Sequence, residues 1–507
     1  MLRPLVATTA VTAAIVLLAG CGGDDKKSSS GTGDGGATST ASTTPSAPSI
    51  PNFDPPKAFS VAAAYPSMGH RTRSTLDKSQ MGIAGQVALV GSWVSLNGYD
   101  VGTPTNRWVV PSKSADTTVV SGATKPMAVK VDGKDVALVA YAETDKGNGT
   151  QKPQGLVVIQ WIDVMTGKKL AEISTPVSTV EGTGTDPVGT PNLNDTAYDP
   201  ETGQIAVGVT TTGSASVKTV YADPKTQKAT MVPGINPAAV HNGVIAGAKG
   251  QQADSATDGT IVLADGASGK VTKQVPLKQA YLKPLAGASK HAYFYGMRYT
   301  DYGAGTKAQA IFAVDLSTAA VVQTVPAIPQ ESDSSLDCFA DEATSVVCTS
   351  ATLTGGPQEI LGLDDATGKK VWGFTSKSGA RVVPRVTAAY HGVVYAKTEA
   401  QPVLLDAKTG QDLPSAAPST SPSSSSSDSP SAGDTPSTGS TPSSGDSPTP
   451  GATPSDGESP GTSDLSLFNG RLESPSAVSP YGGIYRQEPN GDDYDTESVG
   501  IFLKPTA

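Results

Sequence analysis

Short β-rich segments recur along most of this 507-residue chain, and their recurrence constrains the fold more than any other feature. Each segment is a run such as Val-Ala-Leu-Val or Gly-Val-Val-Tyr. Eight copies begin at Gln86, Asp135, Gln204, Asn242, Lys290, Thr344, Tyr390 and Tyr481. A repeat of roughly 40 to 50 residues without long helical periodicity is typical of β-propellers, in which each repeat is one blade.

A turn of the form Asp-x-x-Thr-Gly follows most of these runs. Copies that are complete or carry Ser for Thr start at Asp163, Asp265, Asp364 and Asp406, decayed copies start at Asp223 and Asp315, and a further copy starts at Asp199. The Asp and Thr side chains can accept backbone N–H groups, and Gly allows positive φ where the chain reverses. These Asp residues are therefore predicted to shape hairpins, and not to act as catalysts or metal ligands.

The repeat predicts an all-β fold, a β-propeller with eight four-stranded blades. Seven blades is the alternative, because the first repeat lacks the turn. Residues 57–413 and 465–507 are assigned to the blades. The segment 465–507 is too short for a core of its own, so we expect it to supply the inner strands of the final blade. The segment 57–65 is available as the outer strand of that blade, and both ends of the chain would then close the ring.

The first residues predict that the protein is located at a membrane. Arg3 precedes an apolar run that ends in Leu-Ala-Gly-Cys21, and residues 1–21 have the anatomy of a signal peptide. The ending matches a bacterial lipobox, which implies lipidation of Cys21, cleavage before it and a stable anchor of two or more acyl chains such as palmitate. The alternative is an uncleaved transmembrane anchor. Residues 22–56 are predicted to be a disordered tether, which places the folded part on the extracytoplasmic side of the cell membrane.

A second segment, residues 414–464, is predicted to be a disordered insertion rich in Ser, Pro and Thr. It contains no Lys, no Arg, no aromatic residue and no apolar residue larger than Ala, so it cannot bury enough surface to offset chain entropy. Much of the net charge of −10 lies in this segment and in the tether. The folded part is thus only weakly acidic, which argues against nucleic acid as a partner.

Two cysteines remain once Cys21 is assigned to lipidation. Cys338 and Cys348 flank the polar residues Ala-Asp-Glu-Ala-Thr between two short apolar runs, which is a hairpin pattern. Facing positions of a hairpin can place Cβ atoms at bridging distance, so a disulfide is predicted. A pair of buried thiols is the alternative.

One copy of the turn resembles a family signature. Residues Gly362-Leu-Asp-Asp-Ala-Thr-Gly-Lys-Lys-Val-Trp372 are similar to the repeat of quinoprotein-like β-propellers, and only this copy of the turn is followed by the Trp. The resemblance implies that Trp372 docks between neighbouring blades. The same superfamily includes quinone-dependent dehydrogenases and non-catalytic lipoproteins such as the assembly factor of the Bam complex. The dehydrogenases carry a vicinal disulfide, whereas Cys338 and Cys348 are not adjacent.

The sequence predicts a binding module and not an enzyme. No Ser/His/Asp set can be assembled from the four His at positions 70, 241, 291 and 391, so no catalytic, cofactor-binding or metal residue is assigned and no cofactor is expected. The acidic segment 490–497 is interpreted as a solvated loop, with a calcium site as the alternative. We expect a monomer that binds a protein or an envelope component through one face of the propeller. The alternative is a quinoprotein-like dehydrogenase or a propeller hydrolase, for which acidic or His side chains should converge on the central channel.

Overall fold

A computed structural model gives the structure of the protein for residues 51–66, 80–102, 106–148, 150–182, 187–250, 253, 255–301, 305–328, 334–352, 356–378, 381–414, 465–487 and 499–507. Cys21, His70, the predicted signal peptide, residues 22–50 of the predicted tether, residues 415–464 of the predicted insertion and the acidic segment 490–497 lie outside these residues. Within the described part of the chain, no helix has the length and apolar character needed to cross a membrane.

The strands form eight antiparallel blades, and within each blade the order below runs from the innermost strand outward. Blades 1 to 4 consist of β2 (Gln80–Ala84), β3 (Val87–Gly91), β4 (Ser95–Asp100) and β5 (Asn106–Pro111); β6 (Thr118–Ala123) with β7 (Met127–Val131), β8 (Lys134–Asp145), β9 (Gln154–Asp163) and β10 (Lys169–Thr179); β11 (Pro191–Tyr198), β12 (Ile205–Thr211), β13 (Ser214–Asp223) and β14 (Lys228–Pro233); and β15 (Asn236–His241), β16 (Val244–Lys249), β17 (Gly259–Asp265) and β18 (Val271–Gln279). In blade 2 the innermost strand is broken into β6 and β7, which both pair with β8.

Blades 5 to 8 continue the ring. They consist of β19 (Tyr281–Gly287), β20 (His291–Asp301), β21 (Thr306–Asp315) and β22 (Val321–Thr324); β23 (Ser334–Ala340), β24 (Ser345–Thr352), β25 (Gly356–Asp364) and β26 (Lys369–Thr375); β27 (Arg385–Tyr390), β28 (Val393–Lys397), β29 (Pro402–Asp406) and β30 (Asp412–Leu413); and β31 (Ala477–Ser479), β32 (Gly482–Gln487), β33 (Val499–Pro505) and β1 (Phe59–Pro66). Two short 3₁₀ helices, Ser376–Ser378 and Leu465–Leu467, lie in connections between blades.

The ring is closed by both ends of the chain, as predicted. Strand β1 pairs antiparallel with β33, from Phe59 opposite Pro505 to Pro66 opposite Val499. The innermost strands of consecutive blades lie side by side, and β31 of blade 8 contacts β2 of blade 1. The prediction of eight blades is therefore confirmed, and the alternative of seven is wrong.

The eight recurring sequence segments are the second strands of the eight blades. Their sequences are continuously apolar because neighbouring blades cover both faces of the strand; all five residues of β3 are buried. Outer strands such as β18 alternate and are mostly exposed. An apolar cluster lies at each junction between blades, with Trp161 at the junction of blades 2 and 3 and Phe294 at that of blades 4 and 5. Stacking of blades thus supplies the core.

The Asp-x-x-Thr-Gly sequences are hairpin turns, mostly between the third and fourth strands. In blade 2 the Asp163 Oδ1 accepts hydrogen bonds from the Thr166 backbone N–H at 3.0 Å and hydroxyl at 2.9 Å, and Gly167 has φ of 70°. The decayed copies keep this geometry, with Gln227 and Ala319 in the left-handed region. The structural interpretation of these turns is confirmed.

Tryptophan side chains on the outermost strands of two blades contact the next blade. Trp372 of blade 6 donates its indole N–H to the Ala407 carbonyl of blade 7 at 2.8 Å, and a Cβ atom at Gly410 would lie 2.4 Å from the ring. The docking implied by the resemblance is present. Trp108 of blade 1 makes the same contact with blade 2, donating to the Val164 carbonyl at 2.7 Å. The sequence predicted this docking only for Trp372, because blade 1 lacks the Asp-x-x-Thr-Gly turn by which the repeats align.

Two faces of the ring follow from the connectivity. The turns joining first to second and third to fourth strands lie on one side, here named the turn face, and the connections between blades leave from the other. Residues 51–58 run along the turn face. Phe53 donates its backbone N–H to the Pro480 carbonyl at 2.9 Å, and the Tyr395 hydroxyl donates to the Pro56 carbonyl at 2.7 Å. The described chain therefore begins beside the axis of the propeller.

Candidate functional site

The inner strands enclose a cavity of about 940 Å³ along the axis of the ring, here named the channel. Its wall consists mainly of small residues contributed by all eight blades, among them Ala84, Ala128, Ala197, Ala238, Ala286, Ala340, Ala388 and Ala477. Small side chains suit the innermost strands because the blades converge there. The result is an open lumen that ends at the turns of the turn face.

Charged side chains in the channel are mostly acidic. Eight carboxylates line it, against two lysines and two histidines. The carboxylates are Asp54, Asp135, Asp195, Asp199, Glu201, Asp341, Glu342 and Asp365. Apart from Asp195 and Asp135, which is the second residue of β8, they belong to the turns or to the N-terminal segment on the turn face. The mouth of the channel on this face is therefore its negative end.

Three of these carboxylates are buried and hold neighbouring blades together. Asp199 of blade 3 accepts the Asn242 backbone N–H of blade 4 at 2.9 Å, and Asp341 of blade 6 accepts the Gly392 N–H of blade 7 at 3.1 Å. The Asp365 carboxylate accepts hydrogen bonds from the Lys290 and His291 backbone N–H groups and from two hydroxyl groups of blade 5. Because their oxygens are occupied by backbone donors, these groups act as bridges between turns.

Glu342 and Glu201, in contrast, are exposed carboxylates at the mouth. Desolvation by the turns that surround the mouth, together with the charges of Glu201 and Asp341, raises the pKa of Glu342 against the opposite effect of His391 and Lys130. Glu342 also has φ of 59°, a conformation that costs a non-glycine residue about 1–2 kcal/mol. The turn of blade 6 thus holds a carboxylate in the mouth with groups of blades 2, 3 and 7 around it.

Lys125 is the charged group that stands apart from this negative end. It lies in the break between β6 and β7, and its ammonium donates to the Ser476 carbonyl of blade 8 at 3.3 Å. Its side chain is exposed to the lumen and within the described residues forms no ion pair, and desolvation by the protein around it lowers its pKa. Asp195 also lies deeper in the channel; burial raises its pKa and the charge of Lys283 opposes that shift.

Three tyrosines add flat, polar-edged surfaces to the channel. Tyr198, Tyr390 and Tyr481 line it on blades 3, 7 and 8. Tyr390 stacks on His391 with ring centroids 4.0 Å apart and planes 16° apart. Aromatic faces attract organic cations, so these rings complement the carboxylates at the same end.

The predicted disulfide is present and borders the channel. Cys338 on β23 and Cys348 on β24 face each other in register and are bonded. Cys338 lines the channel, whereas Cys348 is fully buried. Closing a loop of this size stabilises a fold by roughly 2–3 kcal/mol in the chain-entropy account. It joins the innermost strand of blade 6 to the strand behind it.

The histidines occupy equivalent places in the blades. His241 and His391 lie at the turn between first and second strands of blades 4 and 7 and both line the channel, while His291 begins β20 of blade 5. Acidic and His side chains do meet at one mouth of the channel. Among the residues with described positions, however, no three His, Cys, Asp or Glu side chains are grouped so that they could hold a metal ion.

Comparison with solved structures gives remote likenesses. No family model and no curated protein matches the chain. Among solved structures it is similar to the β-propeller domain of the Trilobed protease from Pyrococcus furiosus, with 11% identity, a TM-score of 0.34 and coverage of 59% of this chain and 85% of that one. It is also similar to the WD40 domain of SCAP from fission yeast, with 9% identity, a TM-score of 0.33 and coverage of 62% and 82%.

A third similar structure comes from a structural and mechanistic study of two prolyl endopeptidases, with 10% identity, a TM-score of 0.33 and coverage of 56% of this chain. The chain spans only 41% of that protein. At these TM-scores the likenesses carry no functional argument. The propeller assignment rests on the pairing of the strands themselves, and the resemblance to quinoprotein-like propellers stays a prediction.

Proposed function

We propose that the protein is a lipid-anchored, extracytoplasmic propeller that binds a protein or envelope component at the turn-face mouth of its channel. The observation that supports this most directly is the channel itself. A lumen of about 940 Å³ with small apolar walls and a few convergent polar groups has the character of a ligand site. Most of the charged groups and the three tyrosines lie toward one end, which makes that mouth the binding surface.

The hydrogen bonds of the acidic side chains in the channel favour a binding function over the alternative of a dehydrogenase or hydrolase. Hydrolysis by paired carboxylates needs side chains free to transfer protons. Asp199, Asp341 and Asp365 instead accept backbone hydrogen bonds across blade junctions. Three of the eight carboxylates that the alternative could use for catalysis are thus held in structural contacts.

The proposed anchor would place the mouth on the side from which the tether leaves. Residues 51–58 lie on the turn face, and residues 22–50 precede them in the sequence. A flexible coil of that length has an end-to-end distance of roughly 30 Å. A ligand in the envelope close to the membrane would then be within reach of the turn face.

Site-specific photocrosslinking in intact cells tests the binding surface. A photoreactive phenylalanine in place of Tyr481, at the mouth, should yield a defined adduct. The same residue in place of Val94, which is 73% exposed in a turn on the opposite face, is the matched control. Equal adducts from both positions, or none from Tyr481, would contradict the proposed surface.

The anchor is tested separately by Cys21→Ser. Without the thiol no thioether to a lipid can form, so the protein should move from the membrane fraction to the soluble extracytoplasmic fraction. Immunoblotting of the two fractions measures this. A variant that stays with the membrane would show that lipidation of Cys21 is not the anchor.

A further inference from the structure

Residues 51–55, here named the strap, form part of the channel mouth. Asn52 and Asp54 line the channel, and both side chains are exposed. The next residue, Pro56, is buried, and its carbonyl accepts the Tyr395 hydroxyl at 2.7 Å. The chain is therefore fixed from Pro56 onward, so the strap can leave the mouth without disturbing the first strand.

Two polar contacts hold the strap on the ring within the described part of the chain. The Phe53 backbone N–H donates to the Pro480 carbonyl of blade 8 at 2.9 Å. The Asp54 carboxylate pairs with the His391 imidazole of blade 7, and Oδ1 lies 2.5 Å from Nδ1. Asp54 is the only charged residue of the strap, so its one charge is attached to a histidine.

The turn that carries His391 has a backbone conformation that few residue types adopt. His391 has φ of 42° and the following Gly392 has φ of 86°, as a two-residue hairpin turn with positive φ at both positions requires. Blades 2 and 4 have the same turn with Asp132 and Asn242 at the first position, at φ of 50° and 49°. Asp, Asn and His are the non-glycine residues that enter this region most readily. Of these three turns, only the one beside the strap places an imidazole there.

The neighbours of the imidazole fix its position and include other titratable groups. Tyr390 stacks on it, and burial raises the pKa of that phenol, which keeps it neutral. The Asp341 carbonyl accepts the His391 backbone N–H at 2.7 Å, while the Asp341 carboxylate accepts backbone N–H groups of both turns. Glu342, next to it, interacts electrostatically with His391 and has a raised pKa. An experiment on this contact must therefore separate His391 from Glu342.

We propose that the strap is a pH-dependent cover on the channel mouth, held in place when His391 is an imidazolium and released when the imidazole is neutral. Histidine is the side chain whose charge ordinarily changes between pH 5 and pH 8, whereas an aspartate is ionised throughout that range. The ion pair is thus complete at the acid end and is lost as the pH rises. The two side chains are 36% and 47% exposed, and a pair this exposed shifts an equilibrium by only about threefold to fivefold.

Fluorine NMR of the strap tests this inference. Trifluoromethylphenylalanine replaces the exposed Asn52 in the full-length protein, purified in detergent, and spectra are recorded between pH 5 and pH 8. The ratio of released to held strap should rise about threefold to fivefold across this range. In Asp54→Asn and in His391→Asn the strap should be mostly released at every pH, without this rise. Asn suits the turn, as Asn242 shows in blade 4, and Asp54→Asn leaves the turn unchanged.

Two matched variants serve as controls. His241→Asn removes an imidazole from the corresponding hairpin of blade 4, and Glu342→Gln removes the other titratable group beside His391. Both should keep the wild-type response. A ratio that does not change with pH in the wild type, a response that persists in His391→Asn, or one that is lost in Glu342→Gln overturns the inference. The spectra require no ligand, so their outcome is independent of whether crosslinking at position 481 captures a partner.

Discussion

Asp365 shows how one side chain links two blades. Its carboxylate, in a turn of blade 6, accepts the Ser289 hydroxyl and the Lys290 N–H, both at 2.9 Å, and the Tyr293 hydroxyl at 3.1 Å. Its Oδ1 also lies 3.5 Å from His291 Nδ1, and its backbone carbonyl lies 2.6 Å from the same nitrogen. Burial alone would raise the pKa of Asp365, but these hydrogen bonds, with that of His291 foremost, lower it below its usual value.

The partner imidazole makes this junction sensitive to pH. The hydrogen bond with Asp365 raises the pKa of His291 above 6.5, although burial opposes the shift. A raised folded-state pKa means that the stabilising contribution is complete below pH 6.5 and is lost as pH rises through the raised value. The urea concentration at the midpoint of unfolding should therefore decrease as the pH is raised from 6 to 9. In His291→Asn this decrease should be smaller.

Ser289→Ala is the control for this prediction. It removes one hydrogen bond to the same carboxylate but leaves the imidazole in place, so it should lower stability at every pH and keep the slope. Equal slopes for the wild type and His291→Asn would show that this contact does not govern the pH dependence.

At the scale of strands and turns, sequence reasoning succeeded where local chemistry decides the outcome. The second strands were recognisable because burial on both faces demands an unbroken apolar run, as in Val87–Gly91. The turns were recognisable because Gly167 and its equivalents need positive φ. The contact of Trp108 could not be predicted, because it is made with the next blade and no residue adjacent to Trp108 in sequence indicates it.

The first strand is the element on which ring closure depends. A protein that starts at residue 68 lacks β1 and leaves the backbone groups of Val499–Pro505 unpaired at the edge of blade 8, which is a template for association. A protein that starts at residue 51 keeps the strand and serves as the control. Size-exclusion chromatography and thermal melting should show aggregation and a lower melting temperature for the shorter protein alone.

A monomeric, cooperatively melting protein without residues 59–66 would contradict this role. It would show that blade 8 is stable with three strands and that the N-terminal strand is dispensable.

At the scale of the whole molecule, the fold was predictable from the period but the channel was not. Its charged residues come from blades that are far apart in sequence, such as Lys125 in blade 2 and Glu342 in blade 6. A repeat pattern shows that strands are innermost but not which side chains face the axis. The single break in the inner strand of blade 2, which positions Lys125, has no signal in the repeat.

The long insertion is expected to be independent of the ring. It joins Leu413 of blade 7 to Leu465 before blade 8, on the side opposite the turn face. Each doubling of a flexible loop costs only about 0.6 kcal/mol, so deleting residues 416–462 should change stability by about 2 kcal/mol or less. Calorimetry should give one transition at nearly the wild-type temperature, whereas loss of that transition would show that the segment is part of the fold.

The pairing of Phe59–Pro66 with Val499–Pro505 also orders events in time. Of the described strands, the one that is synthesised first pairs with the one that is synthesised last. Seven blades can stack as they are made, but the eighth must wait until Val499–Pro505 has been synthesised. Because contacts between such distant segments form slowly, ring closure should be the final step of maturation, and an interrupted chain should remain recognisable to quality-control proteases by its open edge.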